Sequence, residues 1–141
     1  MQVKVVLKVI VALPAVLFIV MGLRWLVAPA GISPELGFDL AEGIGRSSQV
    51  GDFAAFFLTA GICILMGVVS GKRFWFYPPA MLLTLAATGR VLAWALHDAA
   101  FASDMILFEV GVSILLLTAS RWLEPSAQGK EPSAQDKEPA A

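Results

Sequence analysis

The chain has 141 residues, 58% of them hydrophobic and 15% charged, with a formal net charge of −1. Soluble domains average roughly 45–50% apolar and about 25% charged residues, so this is the composition of a membrane protein, with length for one domain. The near-neutral balance without a basic stripe excludes nucleic acid as a partner; the lone Cys63 excludes an intrachain disulfide, and Cys63 with the only histidine, His97, is too small a set for zinc or iron–sulfur ligation, so neither metal nor cofactor is expected.

Four apolar runs follow one another, at about 3–27, 47–69, 74–96 and 102–123. Each is near the ~20 residues that a helix needs to cross ~30 Å of hydrocarbon. The alternating segments of a membrane barrel are absent. The expectation is an all-α polytopic membrane protein, a four-transmembrane-helix bundle over residues 1–123.

The first run starts like a secretory leader, with Lys4 and Lys8 near its N-terminal end and Ala28-Pro29-Ala30 resembling a cleavage site. It outlasts the usual 7–15 apolar residues of a leader, however, and Arg24 and Trp25 read as an interfacial anchor. It is expected to stay as a span. The next segment, Ala28 to Arg46, is rich in Gly and Pro, which oppose a long helix. Ser33-Pro34-Glu35 suits the start of a short helix, laying Leu36, Phe38 and Leu40 on the membrane surface or the bundle; an ordered loop without a helix fits equally well.

The second run carries a stripe of small residues at a spacing of four, Gly51, Ala55, Thr59, Cys63, Gly67 and Gly71. Such stripes let membrane helices approach closely, and packing within the chain is expected ahead of a dimer contact. The turn Lys72-Arg73 and the aromatic run Phe74 to Tyr77 suit a headgroup boundary, and Pro78 and Pro79 fall where a helix start tolerates them. A shorter stripe, Ala80, Thr84 and Thr88, follows in the third run. After the fourth run the composition changes to two copies of a seven-residue unit, EPSAQGK and EPSAQDK, so 124–141 is expected to be a disordered, solvated tail.

The basic residues Lys4, Lys8, Lys72, Arg73 and Arg121 collect at one end of the spans. The positive-inside rule makes that end cytoplasmic, with both termini, and the end bearing Glu35, Asp39, Glu42, Asp98 and Asp104 periplasmic. The expected location is the bacterial inner membrane, in contact with membrane lipids.

Charges inside the spans fall at matching depths. Asp52 lies about five residues, or ~8 Å, inside its span, and Arg90 and Glu109 lie near ~10 Å inside theirs, all measured from the outer face. Ionisable groups at such depth are paired or functional by default. One reading is an outward-facing pocket floored by Arg90, Glu109 and Asp52, walled by Trp94 and Phe56 and rimmed by His97, Gln49 and Arg46. The other is a structural clamp holding three helices in register. Two carboxylates for one guanidinium favour the pocket, since one acid is left to titrate. His97 also suits a helix C-terminus and Asp104 a helix N-terminus.

The segments GRSSQVGDFAAFFLTAG, GKRFWFYPPAML and GRVLAWALHDAAFA resemble an uncharacterised family of small, four-helix bacterial membrane proteins and, more distantly, the DoxX-like membrane proteins. The resemblance covers about Met21 to Leu123 and implies that Arg46, Gln49, Asp52, Arg90, His97 and Glu109 belong to one pattern; it implies no activity. Three functions are then expected, in order. The first is binding of a lipophilic or amphipathic molecule, such as a lipid or quinone, or service as an accessory subunit of an oligomer or larger membrane complex. Next comes a small isomerase or oxidoreductase using Asp52, Glu109 or His97 for acid–base chemistry on a lipophilic substrate. A proton-coupled transporter is third, because the first span has no acidic residue.

Overall fold

A computed structural model describes residues 2–123; the predicted tail at 124–141 lies outside the described residues. The chain forms α1 (Gln2–Val27), α2 (Pro29–Ile32), a 3₁₀ turn (Pro34–Leu36), α3 (Gly43–Ser70), a second 3₁₀ turn (Arg73–Phe76), α4 (Tyr77–Leu96) and α5 (Ser103–Trp122). Among the described residues there is no strand, and four helices are long and apolar enough to cross a membrane when the second turn is counted with α4.

Most helix boundaries follow local chemistry. Gly71 ends α3 with φ 68°, a left-handed conformation that suits glycine, and its N–H bonds the Gly67 carbonyl. Proline occupies the first turn of α4, where a missing N–H matters least. The start of α3 differs from the apolar run, since the helix begins at Gly43, ahead of the predicted 47. Two polar residues account for this. Arg46 Nε donates to the Ala41 carbonyl at 2.9 Å, while Gln49 accepts from the Ala41 N–H at 2.8 Å and donates to the Asp39 carbonyl at 3.1 Å. Their side chains tie the incoming loop to the first turns of α3, an effect that hydropathy does not register.

The long helices pack as two antiparallel pairs. Along α1 and α3, Trp25 stacks on Phe53 with ring centroids 4.8 Å apart, and Phe18 meets Phe57 at 6.0 Å. Gly22 lies against Leu58, and Gly61 lies against the backbone of Ala15 and Ile19. This seam is a close approach of the kind that membrane helices use in place of a hydrophobic driving force. The predicted small-residue stripe is divided: Cys63, Gly67 and Gly71 are buried, whereas Gly51, Ala55 and Thr59 lie outside the buried set. The seam instead follows Ala54, Phe57, Gly61 and Ile64, one row around the helix, because the partner's crossing selects the row.

Along α4 and α5, Arg90 bonds Glu109, and the Ser113 hydroxyl bridges toward Thr84 and the Ala80 carbonyl at 3.4 Å each. The pairs join at the end bearing the Lys72-Arg73 turn, where Phe76, Leu116, Ala119 and Leu123 are buried. At the opposite end α4 contributes no buried residue after Ala87, and α5 none before Glu109.

Trp25 and Arg24 depart from the expected headgroup anchor. Trp25 is fully buried in the α1–α3 seam, and its indole N–H has no hydrogen-bond partner among the described residues. Arg24 turns to the following loop and binds Glu35 through both terminal nitrogens, at 2.8 and 2.6 Å. A short helix does start at Pro34 with Ser33 at the N-cap position, as a 3₁₀ turn, but it is preceded by α2 from Pro29, and Ser33 is buried and makes no side-chain cap. Leu36, Phe38 and Leu40 pack against the core, so the loop lies on the bundle.

Candidate functional site

Beneath this loop, between the two helix pairs, is a cavity of about 550 Å³. Phe18 and Met21 face it from α1, Asp52, Phe53, Phe56 and Phe57 from α3, Leu83, Ala86 and Arg90 from α4, and Asp104, Met105, Phe108 and Glu109 from α5. Glu35, Leu36 and Phe38 line it from the loop. The rings brace one another: Phe18 meets Phe108 edge-on at 6.0 Å, Phe56 meets Phe57 edge-on at 5.3 Å, and Phe38 lies 4.8 Å from Phe53. Sites for small molecules have this size and this mixture of aromatic wall with few convergent polar groups.

The polar groups are unequally satisfied. Arg90 Nε donates to Glu109 Oε1 at 2.9 Å. Glu109 is only 6% exposed, and its second oxygen, Oε2, is buried without a hydrogen-bond partner among the described residues. The Ser113 hydroxyl bonds the Glu109 main-chain carbonyl at 2.8 Å and so holds that turn of α5 without helping the carboxylate. A buried acceptor left unpaired is costly, and such atoms are completed by ordered water, an ion or a bound molecule, or are used in chemistry. Asp52 faces the same cavity from α3 and forms no hydrogen bond or ion pair among the described residues. The ion pair therefore ties α4 to α5, and the third helix supplies a free carboxylate in place of a third contact.

Of the residues singled out in the sequence, Asp52, Phe56, Arg90 and Glu109 line the cavity. Arg46 and Gln49 do not; both are occupied in fixing the loop to α3. Trp94 is half-exposed and meets Phe101 edge-on at 5.2 Å, outside the cavity lining. His97 is the exposed C-cap of α4, with its backbone N–H on the Ala93 carbonyl. The offsets from Arg90 put Trp94 and His97 on its side of the helix, but α4 has passed beyond its buried packing by that point. Among the described residues, no group of three or more His, Cys, Asp or Glu side chains is arranged to hold a metal.

Glu35 and Phe38 are lining residues that the sequence did not single out, as are Phe18, Phe53 and Phe108. The run Phe53, Phe56 and Phe57 beside Asp52 was the one signal in the sequence. Phe18 sits in a uniformly apolar stretch, where nothing distinguishes a cavity wall from a lipid-facing side chain, and Phe108 is adjacent to Glu109, a spacing that does not put two helical side chains on one face.

The loop is held by a titratable latch. Hydrogen bonding from Arg24, aided by its charge, keeps the Glu35 carboxyl below its ordinary range. A lowered folded-state value means that the latch is complete above the ordinary carboxyl range and is lost as pH falls through the lower, folded-state value. Protection factors of the amides across residues 28–42, corrected for the intrinsic slowing of exchange at low pH, should therefore fall on acidification, and the Arg24→Gln variant should show low protection at neutral pH with a flatter pH response. An unchanged exchange pattern in Arg24→Gln would show that the loop packs without the latch.

Comparison with family models, with curated proteins and with solved structures returns no match. What the described residues define is a class: an all-helical protein with four helices long and apolar enough to cross a membrane and a cavity at the loop end that combines phenylalanine rings with carboxylates.

Proposed function

We propose that this chain is a multi-pass protein of the bacterial inner membrane that holds a lipophilic, polar-headed small molecule in the cavity beneath the α1–α3 loop. The positive-inside pattern supports termini in the cytoplasm and a cavity in the outer, periplasmic half of the membrane. The observation that carries the reading is the 550 Å³ cavity itself, lined by phenylalanine rings together with Arg90, Glu109 and Asp52; Glu109 Oε2, shielded from solvent, has no hydrogen-bond partner among the described residues. A bound molecule with a donor group satisfies that oxygen when the Glu109 carboxylate turns toward the cavity, while the phenyl rings take its apolar body.

A second reading, acid–base catalysis on such a molecule, draws support from Asp52 and Glu109 facing one cavity. His97 lies outside the lining and has no part in it.

Native mass spectrometry of the protein extracted gently with its own lipids tests the binding reading. The expected spectrum holds a protein-bound species of one defined mass, lost in Ala86→Trp, where an indole fills the chamber from α4. A parent protein carrying only the general lipid mixture, indistinguishable from Ala86→Trp, overturns the proposal.

A further inference from the structure

We infer that the occupant is a cationic amphiphile whose head is a protonated amine with at least one N–H. This rests on the binding reading above and names the chemistry of the molecule bound. Four carboxylates line the cavity, Glu35, Asp52, Asp104 and Glu109, against one guanidinium, Arg90. Arg24 neutralises Glu35 and Arg90 neutralises Glu109. Of the four, two are thereby paired, and Asp52 and Asp104 remain without a cationic partner among the described residues. Apolar walls focus that surplus negative charge into the chamber.

The wall chemistry agrees. Phenyl faces attract cations and offer anions nothing comparable. Glu109 Oε2 is shielded from solvent and lacks a donor among the described residues, and an ammonium N–H supplies a charge-assisted bond to it once the carboxylate turns toward the cavity. A quaternary ammonium has no N–H and leaves that oxygen unpaired. An anionic head could use only the nitrogens of Arg90 that Glu109 does not, and would sit among like charges. A neutral alcohol donates to Glu109 but gains nothing from Asp52 and Asp104.

The test is a charge series at fixed chain length: decylammonium, decyltrimethylammonium, decanol and decyl sulfonate. Each is titrated calorimetrically into the full chain in nanodiscs of zwitterionic lipid. Saturable heat that is lost in Ala86→Trp or in Met105→Trp, which blocks the chamber from α5, counts as binding to the cavity. Decylammonium should bind on the order of tenfold more tightly than decanol, given a charge-assisted bond and surrounding carboxylates. Decyltrimethylammonium should fall between the two and decyl sulfonate last, and Asp52→Asn should narrow the decylammonium-to-decanol ratio severalfold. Equal binding of decylammonium and decanol, or preference for the sulfonate, overturns the cationic head and leaves the binding reading standing. If no probe gives heat sensitive to either blocking variant, the binding reading fails, and this inference fails with it.

Discussion

Arg90→Ala should be the most damaging single change at the cavity, costing about 2–3 kcal/mol of stability. Removing one partner of a fully buried ion pair typically costs ~3–5 kcal/mol, because the other charge is left without compensation. The pair here is lopsided: the Glu109 side chain is 8% exposed and that of Arg90 34%, so the guanidinium retains some access to solvent. That asymmetry makes the two deletions unequal. Without Arg90, Glu109 loses the only hydrogen bond its carboxylate makes among the described residues, since Oε2 already has none. Without the Glu109 charge, as in Glu109→Gln, Arg90 can turn toward the cavity mouth and toward Asp52, which faces the same space. The loss should then be about 1 kcal/mol, the scale of polar contacts between membrane helices. Replacing both residues with Met should recover most of the Arg90→Ala loss, because no charge then stays buried. Equilibrium unfolding in mixed micelles, followed by tryptophan fluorescence, ranks these variants. Equal losses for the two single variants, or a parent-like Arg90→Ala, would show that the pair does not hold α4 to α5.

The same pair shows how far the sequence could be read. Equal depth placed Arg90 and Glu109 together, because depth along a helix depends only on the rise per residue and on where hydrocarbon begins. The four helices were legible for the same reason. Direction around the helix axis was not. Trp94 and His97 share a face with Arg90, yet α4 has no buried residue beyond Ala87, so that face meets no wall there. Side-chain bonds to the loop were equally hidden. Arg46 and Gln49 read as pocket rim from their polarity, but their hydrogen bonds go to the main chain at Asp39 and Ala41. Trp25 and Arg24 were read as anchors from residue type, which says what a side chain tolerates at an interface and nothing of a nearby Phe53 or Glu35. The loop's part in the cavity needed tertiary contacts, since Glu35 and Phe38 reach the site across the bundle and not along a helix.

Gly61→Leu should separate α1 from α3 and lower the unfolding midpoint more than any substitution of an exposed glycine. A Cβ at position 61 would lie 2.8 Å from the Ala15 carbonyl oxygen and 2.9 Å from the Ile19 nitrogen. Both are backbone atoms of a helix, so neither can swing aside as a side-chain tip does. Gly67 is tight in another way: its Cβ would meet the ring of Phe76, a side chain that is itself fully buried, and no backbone atom is among its nearest neighbours. Overpacking of a well-filled interior costs about 1–3 kcal/mol, and Gly61→Ala should already fall in that range. Leu adds three carbons on the same vector and should exceed it. Gly111 supplies the control, since a Cβ there meets nothing within 4 Å. Gly111→Ala should unfold at or above the parent midpoint, because alanine is the better helix former by up to ~1 kcal/mol. The cavity is sensitive to the same change. Phe18 and Met21 reach it from α1, and Phe53, Phe56 and Phe57 reach it from α3, so parting these helices displaces facing walls. A Gly61→Ala protein should therefore lose cavity binding out of proportion to its loss of stability, while Gly111→Ala keeps both. If Gly61→Ala melts and binds like Gly111→Ala, the α1–α3 seam is not the close contact that sets the chamber's width.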